Sequence, residues 1–134
     1  MRFLTIILFC FTTAFFSTKK SNVLDGVWIP VKQEISGAEL PKSAFEKQRL
    51  VISDTTYTFY AESIDKGVSK FSDGKLDIWG KEGVNMGKHF MAIYKYEDEI
   101  LTICYNLAGN VYPESFDTKG KPAYFTSTFI RQPK

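Results

Sequence analysis

The chain has 134 residues, of which 24% are charged and 16% aromatic, and a formal charge of +2. That length suits one compact domain and excludes two of ordinary size. The charges are scattered without a basic stripe to follow a run of phosphates, which excludes nucleic-acid binding. One histidine and two cysteines rule out a histidine-rich metal centre.

In chain order, the first element is a leader. Residues 3–16 carry no charge and follow Arg2. A positive start with so short an apolar run has the form of a signal peptide, falling short of the ~20 residues that span a bilayer as a helix. Five of the 12 phenylalanines, Phe3, Phe9, Phe11, Phe15 and Phe16, sit there. Thr12-Thr13-Ala14 offers small residues, and cleavage is expected between 14 and 22. Residues 1–22 are thus expected to be a signal peptide and 23–134 the mature domain, exported to the periplasm or secreted. Cys10 follows a bulky Phe9, which argues against lipidation. Lys19-Lys20 resists translocation, so the alternative is an uncleaved N-terminal anchor, the one case in which a membrane is involved.

Beyond the leader the chain reads as an all-β domain, with short β-branched and aromatic segments separated by turn residues. Strands are expected at Gly26 to Glu34, Arg49 to Ser53, Thr56 to Ala61, Gly67 to Phe71, Lys75 to Trp79, Lys88 to Tyr96, Ile100 to Asn106 and Ala123 to Arg131. Eight short strands in about 110 residues is a barrel or sandwich count. Pro41 to Lys47 is the one helical turn, placed to cover an open end. Ser72-Asp73-Gly74-Lys75 and Tyr96-Glu97-Asp98-Glu99 are the tight connections between antiparallel neighbours.

Alternation sorts the last strand into Tyr124, Thr126, Thr128 and Ile130 against Phe125, Ser127, Phe129 and Arg131, with the second set expected inside. The interior candidates are Tyr57, Phe59, Phe71, Tyr94, Tyr105, Phe125 and Phe129. Eight strands enclose a space that such side chains fill or that holds one small ligand. The tyrosines tilt the balance toward a guest, because a buried phenol needs a hydrogen-bond partner.

Asp25-Gly26-Val27-Trp28 opens the first strand and Phe129-Ile130-Arg131 ends the last. This Gly-x-Trp with a late basic residue resembles the lipocalin arrangement. A guanidinium lying on an indole face gains about 0.5–2 kcal/mol and closes one end of the barrel, a role implied here for Gly26, Trp28 and Arg131. The wider pattern resembles a bacterial family of exported lipocalin-like domains of unknown function, first described in planctomycetes. The residues carrying it are Leu24-Asp25-Gly26-Val27-Trp28, Glu34-Ile35-Ser36-Gly37-Ala38-Glu39-Leu40-Pro41 and Leu50-Val51-Ile52-Ser53. Further on they are Gly87-Lys88-His89-Phe90-Met91-Ala92-Ile93-Tyr94, Asp98-Glu99-Ile100-Leu101-Thr102-Ile103-Cys104-Tyr105 and the closing Phe129-Ile130-Arg131. One departure is Tyr112-Pro113-Glu114-Ser115-Phe116, where the family usually has Arg-Pro. The resemblance implies a lipocalin-like β-barrel and brings no assigned chemistry.

Catalytic signatures are missing from the sequence. His89 has no Gly-x-Ser-x-Gly elbow beside it and reads as an ordinary strand histidine. Asp65, Asp73, Asp77, Glu97, Asp98, Glu99 and Glu114 read as turn carboxylates, without calcium-loop spacing. Cys104, flanked by Ile103 and Tyr105, reads as a small buried hydrophobe. Gly80, Gly83 and Gly87 precede a strand rather than the helix a phosphate loop requires. Their stretch reads as a flexible connection over the barrel mouth, with Trp79, Val84 and Met86 as candidate contacts. The expectation is a noncatalytic protein, without cofactor or metal, that binds a small apolar or amphipathic ligand inside the barrel. The alternative is an envelope-associated binding module or inhibitor acting on a protein partner through Trp79 to Gly87 and Tyr112 to Phe116. An enzyme on the same barrel ranks third.

Overall fold

The computed structural model describes residues 22–133. The expected leader, Asn22 apart, lies outside the described residues.

Nine strands follow in order: β1 (Gly26–Ile35), β2 (Ala38–Glu39), β3 (Arg49–Ser53), β4 (Thr56–Tyr60), β5 (Ile64–Ser72), β6 (Lys75–Glu82), β7 (His89–Glu97), β8 (Ile100–Asn106) and β9 (Tyr124–Arg131). Successive strands pair antiparallel from β3 to β9, β1 pairs with β3, and β9 returns to β1. β1 with β3 to β9 therefore closes the expected eight-stranded lipocalin-like barrel, whose closure leaves no open edge. β2 is an addition the sequence did not announce, a two-residue partner that β1 gains by turning at Ser36-Gly37. The helical turn expected over Pro41 to Lys47 is a short 3-10 turn, Lys42–Ala44, followed by the buried Phe45.

The hairpins owe their tightness to left-handed backbone. Asp73 and Gly74 have φ of 51° and 78°, and Asp98 and Glu99 have 51° and 64°. Two consecutive positive φ values match the natural twist of the flanking strands, as in a type I′ turn.

Two strands run longer than the sequence suggested. The register shifts between Lys66 and Gly67, so that the β5–β6 ladder carries on to pair Lys66 with Glu82. An extra residue absorbed in this way bends a strand without ending it. Asp65 and Gly67 fall within the lengthened β5 and so in the barrel wall.

One end is sealed as the resemblance implied. Trp28 is fully buried, and the Arg131 guanidinium carbon stands 4.3 Å from its ring centroid. Arg131 Nη2 donates to the Val23 carbonyl at 2.8 Å, Nη1 donates to the Asp25 carbonyl, and Trp28 Nε1 donates to the Leu24 carbonyl at 2.8 Å. Gly26 has φ +141° and an added Cβ would fall 2.7 Å from Arg131 Nη1. Glycine is required there by both backbone and space. Above this plug, Leu50, Ile52, Leu76, Leu101, Ile103 and Phe129 form the buried core.

Candidate functional site

The barrel is not packed solid. Inside it lies a cavity of about 220 Å³, larger than the ~150 Å³ engineered cavity that admits benzene. Tyr57, Phe59, Phe71, Tyr105, Phe125 and Phe129 line it, together with Ile78, Phe90 and the core residues Leu50, Ile52, Leu76 and Ile103. Period-two alternation explains the selection: Phe125, Ser127 and Phe129 on β9, and Leu76 and Ile78 on β6, are the inward positions. At the end opposite Trp28 the lining reaches Leu107, an exposed residue that follows β8.

Tyr94 and Trp79 stand elsewhere than the sequence placed them. Tyr94 packs against the core edge-on to Phe71, with ring centroids 5.0 Å apart, and is absent from the cavity lining. Trp79 belongs to strand β6, not to a loop, and alternates to the outer face. It stacks there on His89, its cross-strand neighbour, at 4.8 Å and 8° between ring planes. Val84 and Met86 are both 68% exposed and do not line the cavity. The loop residue that does is Asn85.

The connection around Asn85 is a compact turn. Gly80 N–H donates to the Lys88 carbonyl at 2.9 Å, and Gly87 N–H returns a bond to the Gly80 carbonyl at 3.0 Å. So close is the approach that a Cβ on Gly80 would overlap the Asn85 carbonyl. This packing lays the Asn85 side chain against the wall, where Nδ2 donates to Asp65 Oδ2 at 2.9 Å.

Asp65 is the polar centre of the cavity. It is only 6% exposed, on the inner face of β5 with Gly67, Ser69 and Phe71. Across the β4–β5 ladder Tyr57 stands opposite Gly67, and a Cβ on Gly67 would fall 2.8 Å from the Tyr57 ring. The bare glycine lets the ring lie flat against the strand, so that its hydroxyl donates to Asp65 Oδ2 at 3.2 Å. Burial, reinforced by the negative charge of Asp65 and this hydrogen bond, pushes the Tyr57 phenol above its ordinary value. Burial likewise raises Tyr105, with Tyr57 and Cys104 adding smaller effects. Both phenols therefore remain neutral donors near neutral pH.

Two buried polar atoms in this wall have no hydrogen-bond partner among the described residues: Asp65 Oδ1 and Ser69 Oγ. Such atoms cost free energy unless something satisfies them. On the other side of the cavity the polar groups are satisfied, because Gln33 Nε2 donates to Gln48 Oε1 at 2.7 Å and to Ser127 Oγ at 3.2 Å.

Sequence reasoning placed Asp65 in a turn and overlooked Ser69 and Asn85. The available signal was the alternation Asp65, Gly67, Ser69, Phe71 against Ile64, Lys66, Val68, Lys70, because the two lysines have to face water.

Outside the barrel His89 Nε2 lies 2.8 Å from Asp77 Oδ1, and the Tyr112 hydroxyl donates to Asp77 Oδ2 at 2.6 Å. That hydrogen bond raises the Tyr112 phenol. Tyr112 thus ties the β8–β9 connection to the outer wall at Asp77. Cys104 is fully buried, and burial alone pushes its thiol up to about 11. Among the described residues no group of three or more His, Cys, Asp or Glu is placed to hold a metal ion.

The chain matches no protein-family model, no curated protein and no solved structure.

Proposed function

We propose that this protein is an exported, noncatalytic binding protein that holds one small, largely apolar molecule inside its barrel. The observation that carries the reading is the cavity of about 220 Å³ walled by Phe59, Phe71, Ile78, Phe90 and Phe125. A guest of that size has one ring or a short chain. An aromatic group buries ~150–250 Å², which at ~25 cal/mol per Å² gives about 4–6 kcal/mol before the cost of association. Apolar contact alone therefore supports only weak binding, since −4.1 kcal/mol corresponds to roughly 1 mM. Polar groups in the wall set the affinity and orient the guest.

A second reading is favoured by the exposure of Val84 and Met86: a protein partner gripping the loop end from outside. An NMR titration with 2-phenylethanol, a neutral one-ring probe, separates the two readings, alongside native mass spectrometry of the protein purified from the envelope or medium. Barrel binding is expected to give saturable shifts at Phe59, Phe71, Ile78 and Phe125. Shifts confined to Val84 and Met86, or a copurifying protein on an otherwise empty barrel, would overturn it.

A further inference from the structure

Resting on the barrel-binding reading, we infer that the guest is an organic amine, whose ammonium group is taken by Asp65 while its apolar body lies among the phenylalanines. Three observations converge on this class.

The first is the carboxylate itself. Asp65 lines the cavity, is 6% exposed, and has Oδ2 engaged by two neutral donors, the Tyr57 hydroxyl and the Asn85 amide. Oδ1 has no partner among the described residues. Gly83 is the neighbour on that side, where an added Cβ would fall 3.2 Å from Oδ1. An ammonium group has three N–H donors to offer such an acceptor.

The second is charge. No lysine, arginine or histidine lines the cavity. A buried carboxylate without a cation is expensive, and a guest that brings the positive charge removes that cost. The same argument rejects an anionic guest, whose charge would face Asp65 in a medium of low dielectric.

The third is the wall. Tyr57, Phe59, Phe71, Phe90, Tyr105 and Phe125 present aromatic rings to one small space, and ring faces attract cations. Carboxylate and rings together select an amine over a neutral isostere.

The test uses three probes of one shape: 2-phenylethylamine, 2-phenylethanol and 3-phenylpropanoate, titrated calorimetrically and by NMR into the mature protein near neutral pH. The amine is expected to bind at least about tenfold more tightly than the alcohol, a difference of about 1.4 kcal/mol. The carboxylate is expected not to saturate over the same range. Asp65→Asn, which keeps size and shape, should lower the ratio of amine to alcohol affinity at least about tenfold. Alcohol binding equal to or tighter than amine binding in the wild type would overturn the amine inference while leaving the barrel reading standing. Failure of both amine and alcohol to shift interior resonances would overturn the two together. Should Asp65→Asn fail to fold, the wild-type ratio of amine to alcohol decides alone.

Discussion

Tyr57 on β4 reaches diagonally past Gly67 to donate its hydroxyl to Asp65 on β5, 3.2 Å away. Directly opposite pairs on a sheet share a level, whereas the diagonal pair is reached only by long or aromatic side chains. Gly67 makes the diagonal available here, since any larger residue would lift the Tyr57 ring off the wall. The contact holds one carboxylate oxygen and leaves the other without a partner among the described residues.

Replacing Tyr57 with Phe removes the hydroxyl and keeps the ring. Asp65 Oδ2 then retains only the Asn85 amide, and a buried acceptor that loses a donor costs about 1–3 kcal/mol. Urea unfolding of Tyr57→Phe should show a lower midpoint with an unchanged slope. An unchanged midpoint would mean that water substitutes fully for the phenol.

At the sealed end, Arg131→Lys keeps the charge and loses the planar group. The guanidinium stacks on Trp28 and reaches two carbonyls, those of Val23 and Asp25. A lysine forms no such fork. A loss of about 1–2 kcal/mol is expected, with a weakened near-ultraviolet dichroism signal from Trp28. Neither Trp28 nor Arg131 lines the cavity, so binding of a neutral probe should change little. A large loss of probe binding would show that the plug shapes the cavity.

The architecture was largely written in the pattern of residues. Alternating aromatic and β-branched segments located all eight barrel strands, and Asp73-Gly74 located a hairpin, because those features answer to local sterics and to one buried face. The site was legible only on its apolar side. Asp65 was hidden because an inner face of Asp65, Gly67, Ser69 and Phe71 breaks the hydrophobic-inside pattern used to recognise a strand. Asn85 was hidden for another reason: its position depends on Gly80 admitting the loop backbone, a tertiary contact with no periodic signature. Tyr94 shows the converse, for alternation gives the correct face and cannot say how far along the barrel the cavity extends.

Cys104 provides a pH test. Burial raises its thiol from 9.0 to about 11, so the folded chain holds this proton more tightly than the unfolded chain. The associated stability is fully present below about pH 9 and is lost as pH rises toward about 11. Between about pH 8 and about pH 10.5 the wild type should lose about 1–2 kcal/mol more than Cys104→Ala. Parallel urea midpoints for the two proteins would contradict burial of the thiol. Tyr57 and Tyr105 act in the same direction from about pH 10 upward and are common to both proteins.

Gly80 near the end of β6 and Gly87 in the loop that follows should fail in different ways. An alanine at Gly80 would drive its Cβ into the Asn85 carbonyl. Backbone cannot yield there as a side-chain tip can, and overpacking of this kind costs about 1–3 kcal/mol. An alanine at Gly87 meets nothing within 4 Å but must adopt φ +81°, a left-handed strain of about 1–2 kcal/mol. The two variants should therefore show comparable losses of stability. Only Gly80→Ala should displace the Asn85 side-chain amide from Asp65, seen as a shift of its Nδ2 proton resonances toward solvent values. Gly87→Ala should leave those resonances in place. Equal displacement by both variants would show that loop conformation as a whole, and not the Gly80 contact, positions Asn85.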